Sequence, residues 1–205
     1  MTTTTAPNLI ALGGWLRSGK DAFADWLVAH HGWVKVGLAD ALLEHMLIVN
    51  PWIKVRLRDT LRLRFRVRPG FHTARGLVDR LGYVDAKSIK DFREFMWRDG
   101  TDAGRNFIGK DVWVNVMSRR VAERLAAGEK LVITSVRYPN ELDMVRAHGA
   151  LTLWVDRAGT TPGEHESDLS LTADDFSEAI SNAGTLDDLH NLAEQYAAGP
   201  IAVAA

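Results

Sequence analysis

The residues best suited to chemistry lie in the stretch GGWLRSGKDAF, residues 13–23, where Gly14, Gly19 and Lys20 fit the pattern G-x-x-x-x-G-K. A loop with this spacing can wrap round a phosphate chain, because successive backbone N–H groups point inward and the second glycine allows close approach. The lysine then reaches the β and γ phosphates, and the next helix contributes the positive end of its dipole. The alternative is a glycine turn with a solvated lysine. The predicted phosphate-binding residues are Gly14, Trp15, Leu16, Arg17, Ser18, Gly19, Lys20, Asp21 and Ala22.

Asp21 occupies the position after the lysine, where such loops usually carry serine or threonine. The usual hydroxyl binds Mg²⁺, and a carboxylate also offers oxygen, so Asp21 is a candidate to hold the cation directly or through water. An aspartate in the first turn of a helix is also favourable by about 0.3–1 kcal/mol from the macrodipole alone. Both roles are open for this residue.

Apolar strands alternate with amphipathic helices along the chain, which predicts an α/β fold with a parallel sheet of about five strands and helices on both faces. The predicted strands are NLIALGG at 8–14, WVKVGLAD at 33–40, KLVITSV at 130–136, ALTLWVD at 150–156 and EAISN at 178–182. The predicted helices are 21–32, 41–48, 108–128, 139–149 and 185–200. Because the glycine loop follows the first strand and opens the first helix, this context favours the phosphate-binding interpretation.

The composition predicts one compact globular domain, with 205 residues of which 46% are hydrophobic and 25% charged. The chain has no cysteine, which excludes disulfides, thiolate metal sites and cysteine nucleophiles. It has neither a signal-peptide pattern nor an apolar run of about 18 residues, so we expect a cytoplasmic protein that does not enter membranes.

The charge is unevenly distributed, although the net charge is only −1. Residues 54–98 contain thirteen Lys and Arg against five Asp and Glu, whereas residues 156–188 contain nine acids and one arginine. A basic segment in a nearly neutral chain favours a local anionic ligand, since a protein that coats nucleic acid is more often basic throughout. Nucleic acid is therefore not the expected partner.

Several motifs in order resemble the phage-type deoxynucleoside monophosphate kinases, a branch of the P-loop kinases. In that family R-S-G-K-D is the common form of the phosphate loop, and Arg17 to Asp21 match it. The resemblance covers nearly the whole chain. The further motifs are GLAD at 37–40, NPWI at 50–53, LGYVDAK at 81–87, FREFMWRDGTDAGRNFIGKDVWVNVM at 92–117, VITSVRYPNEL at 132–142 and ISNAGTLDDL at 180–189.

The resemblance implies a P-loop NTPase fold and transfer of the γ-phosphoryl of ATP to a deoxynucleoside 5′-monophosphate, with Mg²⁺. It implies one kinase domain over 1–205, and a host-cytoplasmic location if the chain is phage-encoded. Its parts would be a core at about 8–40 and 108–199, an inserted acceptor-binding segment at about 41–107, and a lid-like segment at about 157–172. The sequence does not decide which base is accepted, or the assembly, for which a homodimer is one option.

The resemblance also assigns roles to individual residues. Lys20, Arg17 and Arg137 would be catalytic, and Arg157 would close from the lid. The planar guanidinium group of arginine can bind a phosphate through two parallel hydrogen bonds. Each arginine could instead be a surface charge, Asp40 a helix N-cap, and Trp113 a core residue rather than a base-stacking one. The residues implied for the acceptor are Asp40, Arg93, Arg105, Trp113 and Arg137.

Ser135 departs from the family pattern, which often has an aspartate before the VR of the third strand. That aspartate would hold Mg²⁺ through water, so the metal ligands are open between Asp21 and Ser135 through a water molecule. The pair His165 and Ser167 resembles the lid segment of the family, with Asp168 where glutamate is usual. Neither of the pair receives a role.

The stretch VRLRDTLRLRFRVRP, residues 55–69, alternates apolar residues with arginines, which predicts a β-hairpin that turns near Asp59 and Thr60. The arginines could form a basic wall near the acceptor or a nucleic-acid surface. A solvated edge whose charges prevent strand pairing is slightly favoured.

Two other functions compete with a deoxynucleotide kinase. One is a P-loop protein that binds nucleotide or nucleic acid without catalysis. The other is a P-loop kinase for a different small phosphate acceptor, since a fold does not fix the substrate.

Overall fold

The computed structural model describes residues 7–163 and 166–198. The strands are β1 Leu9–Gly13, β2 Trp33–Gly37, β3 Trp52–Val55, β4 Gly70–Thr73, β5 Lys130–Thr134, β6 Leu151–Asp156 and β7 Glu178–Ser181. The α-helices are α1 Lys20–His31, α2 Asp40–Val49, α3 Leu57–Arg62, α4 Ala74–Leu81, α5 Tyr83–Ser88, α6 Lys90–Arg98, α7 Val112–Ala126, α8 Pro139–Ala147, α9 Glu166–Leu169 and α10 Leu186–Ala198. A π-helix, Asp99–Ile108, and a short 3₁₀-helix, Ala173–Asp175, complete the elements.

The chain divides into two compact units, Met1–Leu38 with Val114–Ala205, and Ala39–Trp113. We call them the sheet unit and the inserted unit. The inserted unit contains the segment 41–107 that the sequence assigns to the acceptor, and that role remains a prediction.

The sheet unit is built on five parallel strands in the order β2-β5-β1-β6-β7, flanked by helices. This confirms the predicted α/β class. Leu9, Ile10, Ala11 and Leu12 of the central strand β1 are fully buried, as expected for a parallel strand covered on both faces. Because β1 lies between β5 and β6, the loop after it leaves from the middle of the sheet.

Helix α1 directly follows the glycine loop and packs against α10. Phe23, Ala24 and Leu27 are fully buried, and the Phe23 ring lies 6.1 Å from that of Tyr196. Burial of such a side chain stabilises the fold by about 1.5–3 kcal/mol. The predicted end at Gly32 is confirmed, since its φ is 67° and its N–H bonds the Leu27 carbonyl.

Two predicted strands are shorter in the structure, since β2 ends at Gly37 rather than at residue 40 and β5 ends before residue 136. The predicted stop of α10 at Gly199 and Pro200 lies outside the described residues. Thr185 and Asp188 form the predicted capping box at the start of α10, in which the Thr185 N–H donates to the Asp188 carboxylate over 2.8 Å. Strand β5 ends at Thr134, before the predicted limit, because Ser135 takes a left-handed φ of 65°. Each helix in the described part of the chain is too short or too polar to span a bilayer.

The inserted unit has its own core beneath a two-stranded antiparallel ribbon, β3 with β4. Ile53 and Val55 point inward and are buried. They belong to one apolar cluster with Met46, Leu77 and Phe92.

The predicted hairpin over 55–69 is wrong. The chain forms helix α3 there, and the true hairpin pairs Trp52–Val55 with Gly70–Thr73. The Asp59 carboxylate accepts the Arg56 N–H over 2.9 Å, which caps and starts a helix. Leu57 and Leu61 are both exposed, so the alternation does not divide a buried face from a solvated one.

The predicted helix 108–128 begins later, at Val112. Gly109, with a φ of 156°, separates it from the π-helix. A Cβ on Gly104 would lie 2.5 Å from Trp113 Nε1, so this glycine allows the indole to approach the π-helix closely.

Helix α3 ends in a Schellman motif that lacks its usual glycine. The Phe65 N–H bonds the Thr60 carbonyl over 2.8 Å, and the Arg64 N–H bonds the Leu61 carbonyl over 3.1 Å. Arg64 has a φ of 49° and Phe65 one of 63°. A left-handed conformation costs an L residue about 1–2 kcal/mol.

We expect Arg64→Gly to increase the free energy of unfolding by about 0.5–1 kcal/mol, because relief of the left-handed strain exceeds the extra entropy that glycine gives the unfolded chain. Urea unfolding measures the change. Arg62→Gly, inside the same helix, is the control and should destabilise by about 1 kcal/mol. Equal destabilisation by both variants would contradict the inference that the backbone of Arg64 is strained.

Candidate functional site

The loop between β1 and α1 is shaped by three residues with left-handed φ values, namely Gly14 at 128°, Arg17 at 66° and Gly19 at 108°. A Cβ on Gly14 would lie 2.4 Å from the Val155 carbonyl oxygen, and a Cβ on Gly19 would lie 2.4 Å from Asn182 Nδ2. Neither position has room for a side chain. The two motif glycines are therefore required by the space around them as well as by the backbone.

The Lys20 side chain lies inside this loop and is only 9% exposed. Its ammonium donates to the carbonyl oxygens of Gly14 and Trp15, over 2.6 and 2.7 Å, and to Ser18 Oγ over 3.2 Å. Burial, followed by the nearby positive charge of Arg137, lowers the pKa of Lys20 to about 8. A buried cation thus stands at the place where the motif predicts a phosphate chain.

The start of α1 adds hydrogen-bond donors to the same place. Lys20 is the first helical residue, and the Phe23 N–H bonds the Gly19 carbonyl over 3.0 Å. By helix geometry, the N–H groups of Lys20, Asp21 and Ala22 have no acceptor within the helix. A helix N-terminus beside a lysine ammonium is suited to bind phosphate.

Arg137 lies beyond the carboxyl end of β5 and shares a cleft with the loop residues Gly14, Trp15 and Leu16. Its backbone N–H donates to the buried Glu141 carboxylate over 2.9 Å, and the Tyr138 N–H donates to the same oxygen. Glu141 thereby fixes the turn that presents Arg137. The structure places the predicted catalytic residues Lys20 and Arg137 in the same unit, and brings Arg137 to the loop.

Asp168 lines the same cleft and was given no role by the sequence. Its Oδ1 lies 3.2 Å from Arg137 Nη1, and its charge also acts on Lys20. It belongs to the predicted lid-like segment 157–172, of which residues 164 and 165, including His165, lie outside the described residues. The only sequence signal was its place in the lid motif.

Asn182 is a second residue that the sequence did not assign. It is buried, and its side-chain amide donates to the Ser18 carbonyl over 2.8 Å, while its own N–H bonds the Asp156 carbonyl. It thus ties the end of β7 to the glycine loop. A polar residue directly after the last apolar strand was the available signal.

The two candidate metal residues lie in different surroundings. The Asp21 carboxylate is exposed and pairs with Lys35 over 2.7 Å, and Lys35 also pairs with Asp25. Ser135 is half-buried at the left-handed end of β5. Among residues 7–163 and 166–198, no three His, Asp or Glu side chains form a metal cluster. The described donors fit a cation held mostly by phosphate oxygens and water rather than a protein cage.

The remaining acceptor candidates all belong to the inserted unit. Asp40 is the first residue of α2, after Ala39 at the N-cap position, so the N-cap alternative is wrong. Arg93 is exposed on α6, and Arg105 is half-buried in the π-helix. Their contact with an acceptor remains a prediction.

Trp113 is fixed by its own neighbours within the inserted unit. Its Nε1 donates to the Gly100 carbonyl over 2.9 Å, and its ring meets that of His45 edge-on at 5.6 Å. The His45 Nδ1 in turn lies 2.7 Å from the Asp99 carboxylate. The indole is therefore a rigid wall, and a stacking role for its face remains a prediction.

Arg157 is exposed just after β6. Its carbonyl accepts hydrogen bonds from the Thr160 N–H and hydroxyl, over 3.1 and 2.7 Å, which form a tight turn. The lid role of its guanidinium remains a prediction.

A model of the family "Deoxynucleotide monophosphate kinase" matches residues 82–192, more than half of the chain. That range includes Arg93, Arg105 and Arg137 and excludes the glycine loop. The deoxynucleotide monophosphate kinase of Escherichia phage RB69 is 23% identical over 239 aligned residues, covering 91% of this chain and 98% of the phage protein.

Two solved structures align with nearly the whole chain but superpose on it poorly. A sugar kinase from Janibacter sp. HTCC2649 covers 93% of this chain and 94% of its own, with a TM-score of 0.46 and 13% identity. TT1252 from Thermus thermophilus covers 93% of this chain and 96% of its own, with a TM-score of 0.43 and 17% identity. The fold assignment therefore depends on the observed strand order.

The lowered pKa of Lys20 predicts a pH dependence of triphosphate binding. The ammonium is charged below a pKa of about 8 and becomes neutral above it. Since a phosphate chain requires the charged form, ATP affinity should be constant near pH 7 and fall up to about tenfold per unit above pH 8. Trp15 fluorescence or calorimetry would give the dissociation constants.

Lys20→Met is the control for this prediction, because it removes the titrating group and keeps much of the apolar stem. Its weaker ATP affinity should be flat over the same pH range. A wild-type affinity that stays constant until about pH 10, the ordinary lysine range, would contradict the assignment.

Proposed function

Because this chain belongs to the deoxynucleotide monophosphate kinase family, we propose that it transfers the γ-phosphoryl of ATP to the 5′-phosphate of a deoxynucleoside monophosphate. The observation that carries the proposal is the buried Lys20 ammonium inside the glycine loop, with Arg137 at the same cleft. The family match favours this reaction over a non-catalytic P-loop protein and over another phosphate acceptor.

The donor phosphates are proposed to occupy the loop, where backbone N–H groups and the Lys20 ammonium neutralise their charge. An oxygen of the acceptor phosphate attacks the γ-phosphorus, the bond from that phosphorus to the β-phosphate oxygen breaks, and ADP leaves. The attacking oxygen is already ionised, so no general base is needed. The protein then contributes positioning and charge neutralisation, which are the main requirements of phosphoryl transfer.

Arg137 is proposed to contact the transferred group and the acceptor phosphate. Its guanidinium pairs with Asp168, and the two side chains are 47% and 28% exposed. Exposed pairs of this kind contribute about 0–1 kcal/mol, so a phosphate can replace the carboxylate at small cost. Glu141 holds the backbone of Arg137 in place during such an exchange.

The inserted unit is proposed to provide the acceptor contacts. Arg93 and Arg105 have the planar forks that bind phosphate in bidentate fashion, and Asp40 can accept from the nucleoside. Trp113 would offer a rigid ring, since its N–H is already bonded to Gly100. Arg17 and Arg157 are proposed to reach the transferred phosphoryl group from the loop and the lid.

Mg²⁺ is proposed to accompany ATP, where it would neutralise charge on the β and γ phosphates. Asp21 and Ser135 remain the candidate protein contacts. For Asp21 the contact requires exchange of its bond to Lys35, an exposed pair. We propose the cytoplasm as the site of action, that of the host if the chain is phage-encoded, and a homodimer as one assembly to test.

We expect Lys20→Ala to reduce kcat by about 10²–10³, the typical loss when one electrostatic contact to a transition state is removed. The measurement is Mg²⁺-dependent ADP release, with each deoxynucleoside and ribonucleoside monophosphate offered separately. Circular dichroism would establish that the variant is folded. Near-wild-type turnover would contradict the proposal, as would a wild-type protein that no monophosphate stimulates.

We expect Arg137→Ala to lower kcat/KM for the acceptor by about 10- to 100-fold, since hydrogen bonds to charged groups contribute roughly 1.5–3 kcal/mol. The dissociation constant for ATP should change much less. The matched control is Arg124→Ala on α7, which removes an exposed arginine that pairs with Glu129. It should leave the acceptor kcat/KM unchanged. An unchanged acceptor kcat/KM would remove Arg137 from the site.

A further inference from the structure

Residues 52–73 form a strongly basic segment of the inserted unit, which we call the basic segment. It contains seven Lys and Arg and one acid, Asp59. Asp59 is 5% exposed, and its carboxylate caps α3 through the Arg56 N–H. The surface of the segment therefore carries positive charge without acidic side chains of its own.

Two of the arginines have structural partners. Arg56 pairs with Asp91, and Arg66 pairs with Asp85 and donates to the Leu81 carbonyl. The other five cations are exposed, and within residues 7–163 and 166–198 none of their charged side-chain groups has a hydrogen-bond or ion-pair partner. These five are Lys54, Arg58, Arg62, Arg64 and Arg68. The folded structure therefore gives these five charged groups no structural role.

Two aromatic side chains lie on the open face of the ribbon. In its register Trp52 is opposite Thr73 and Lys54 is opposite Phe71, so these four side chains share one face. Ile53 and Val55 occupy the other face, which is buried. Trp52 is 69% exposed and Phe71 65% exposed, on either side of an unpaired lysine.

A third aromatic side chain is held out by the strained end of α3. Phe65 stands at the position of the Schellman motif whose apolar side chain usually packs back on the helix, yet it is 71% exposed. Arg64 and Phe65 both have left-handed φ values, where glycine would be unstrained. The strain at this turn costs stability, and the exposed Phe65 ring recovers none of it by packing on the helix.

We propose that the basic segment binds single-stranded nucleic acid. Bases would stack on Trp52, Phe65 and Phe71, and phosphates would contact the five unpaired cations. Spaced aromatic rings beside cations are the combination that binds single strands without sequence preference.

The structure favours this partner over two others. A single mononucleotide has one base, whereas three separate exposed rings can serve several bases of a strand. Exposed Leu57 and Leu61 could suggest a lipid surface, but α3 has six residues, too few for the amphipathic helix that lies in a bilayer interface. The expectation against nucleic acid relied on the net charge of the whole chain, which conceals this segment.

Fluorescence anisotropy of a labelled oligodeoxythymidylate of about 20 nucleotides, titrated with the full chain, tests the proposal. If five phosphates are contacted, the affinity should fall with salt with a log–log slope of roughly −3.5. Arg62→Ala with Arg64→Ala should make the slope shallower by about 1.4. Trp52→Ala with Phe71→Ala should weaken binding roughly 30-fold or more with the slope unchanged.

The matched control is Arg119→Ala with Arg124→Ala, which removes two charges from α7 and should leave the affinity unchanged. Arg62→Lys with Arg64→Lys keeps the charge and should retain binding, which separates charge from local unfolding. Lys20→Met should bind the oligonucleotide like wild type, so the test does not depend on the kinase assignment.

Three results would overturn the proposal. One is the absence of specific binding, seen either as no binding at low salt or as an equal loss of affinity in the α7 control. Another is binding to phosphatidylserine vesicles but not to the oligonucleotide, which would assign the segment to a membrane surface. The third is a rise in acceptor KM that parallels the loss of oligonucleotide affinity in the same variants, which would assign these side chains to the acceptor site.

Discussion

The ammonium of Lys20 imposes the strongest constraint on this molecule. A buried cation is tolerated only when it is hydrogen-bonded, and its three donors find three acceptors, the carbonyls of Gly14 and Trp15 and the hydroxyl of Ser18. Those acceptors converge only because the loop turns through left-handed residues. Gly14 fits under Val155 and Gly19 beside Asn182, so neighbouring strands fix the loop that holds the lysine.

Charge around the cleft is balanced between a few groups. Burial is the largest cause of the lowered pKa of Lys20, the charge of Arg137 lowers it further, and Asp21 and Asp168 act to raise it. Asp168 also pairs with Arg137, so one carboxylate serves two cations. Asp168 offsets part of the repulsion between the two close cations when the cleft is empty. A phosphate chain would bring more negative charge than this one carboxylate, so the same two cations can still attract a nucleotide.

The spacing of residue types along the sequence predicted those features that residues close together in the chain determine. The glycine loop, the parallel strands, the end of α1 at Gly32 and the Thr185–Asp188 box all follow from short patterns. The contacts of Asn182 with Ser18 and of Asp168 with Arg137 could not be predicted, because they join segments brought together only by the fold. The hairpin over 55–69 was wrong because alternating arginines fit both a strand and a short helix, and the cap by Asp59 decides for the helix.

The bond between Asn182 and Ser18 spans 164 residues, and β1 pairs with β5 and β6, which follow more than a hundred residues later. The glycine loop therefore acquires its shape only when segments distant in sequence have joined the sheet. Contacts so distant in sequence make folding slow, because loop closure precedes any gain from pairing. A chain in which β7 has not yet joined the sheet would lack the bond from Asn182 to Ser18, so its glycine loop would be held from one side fewer.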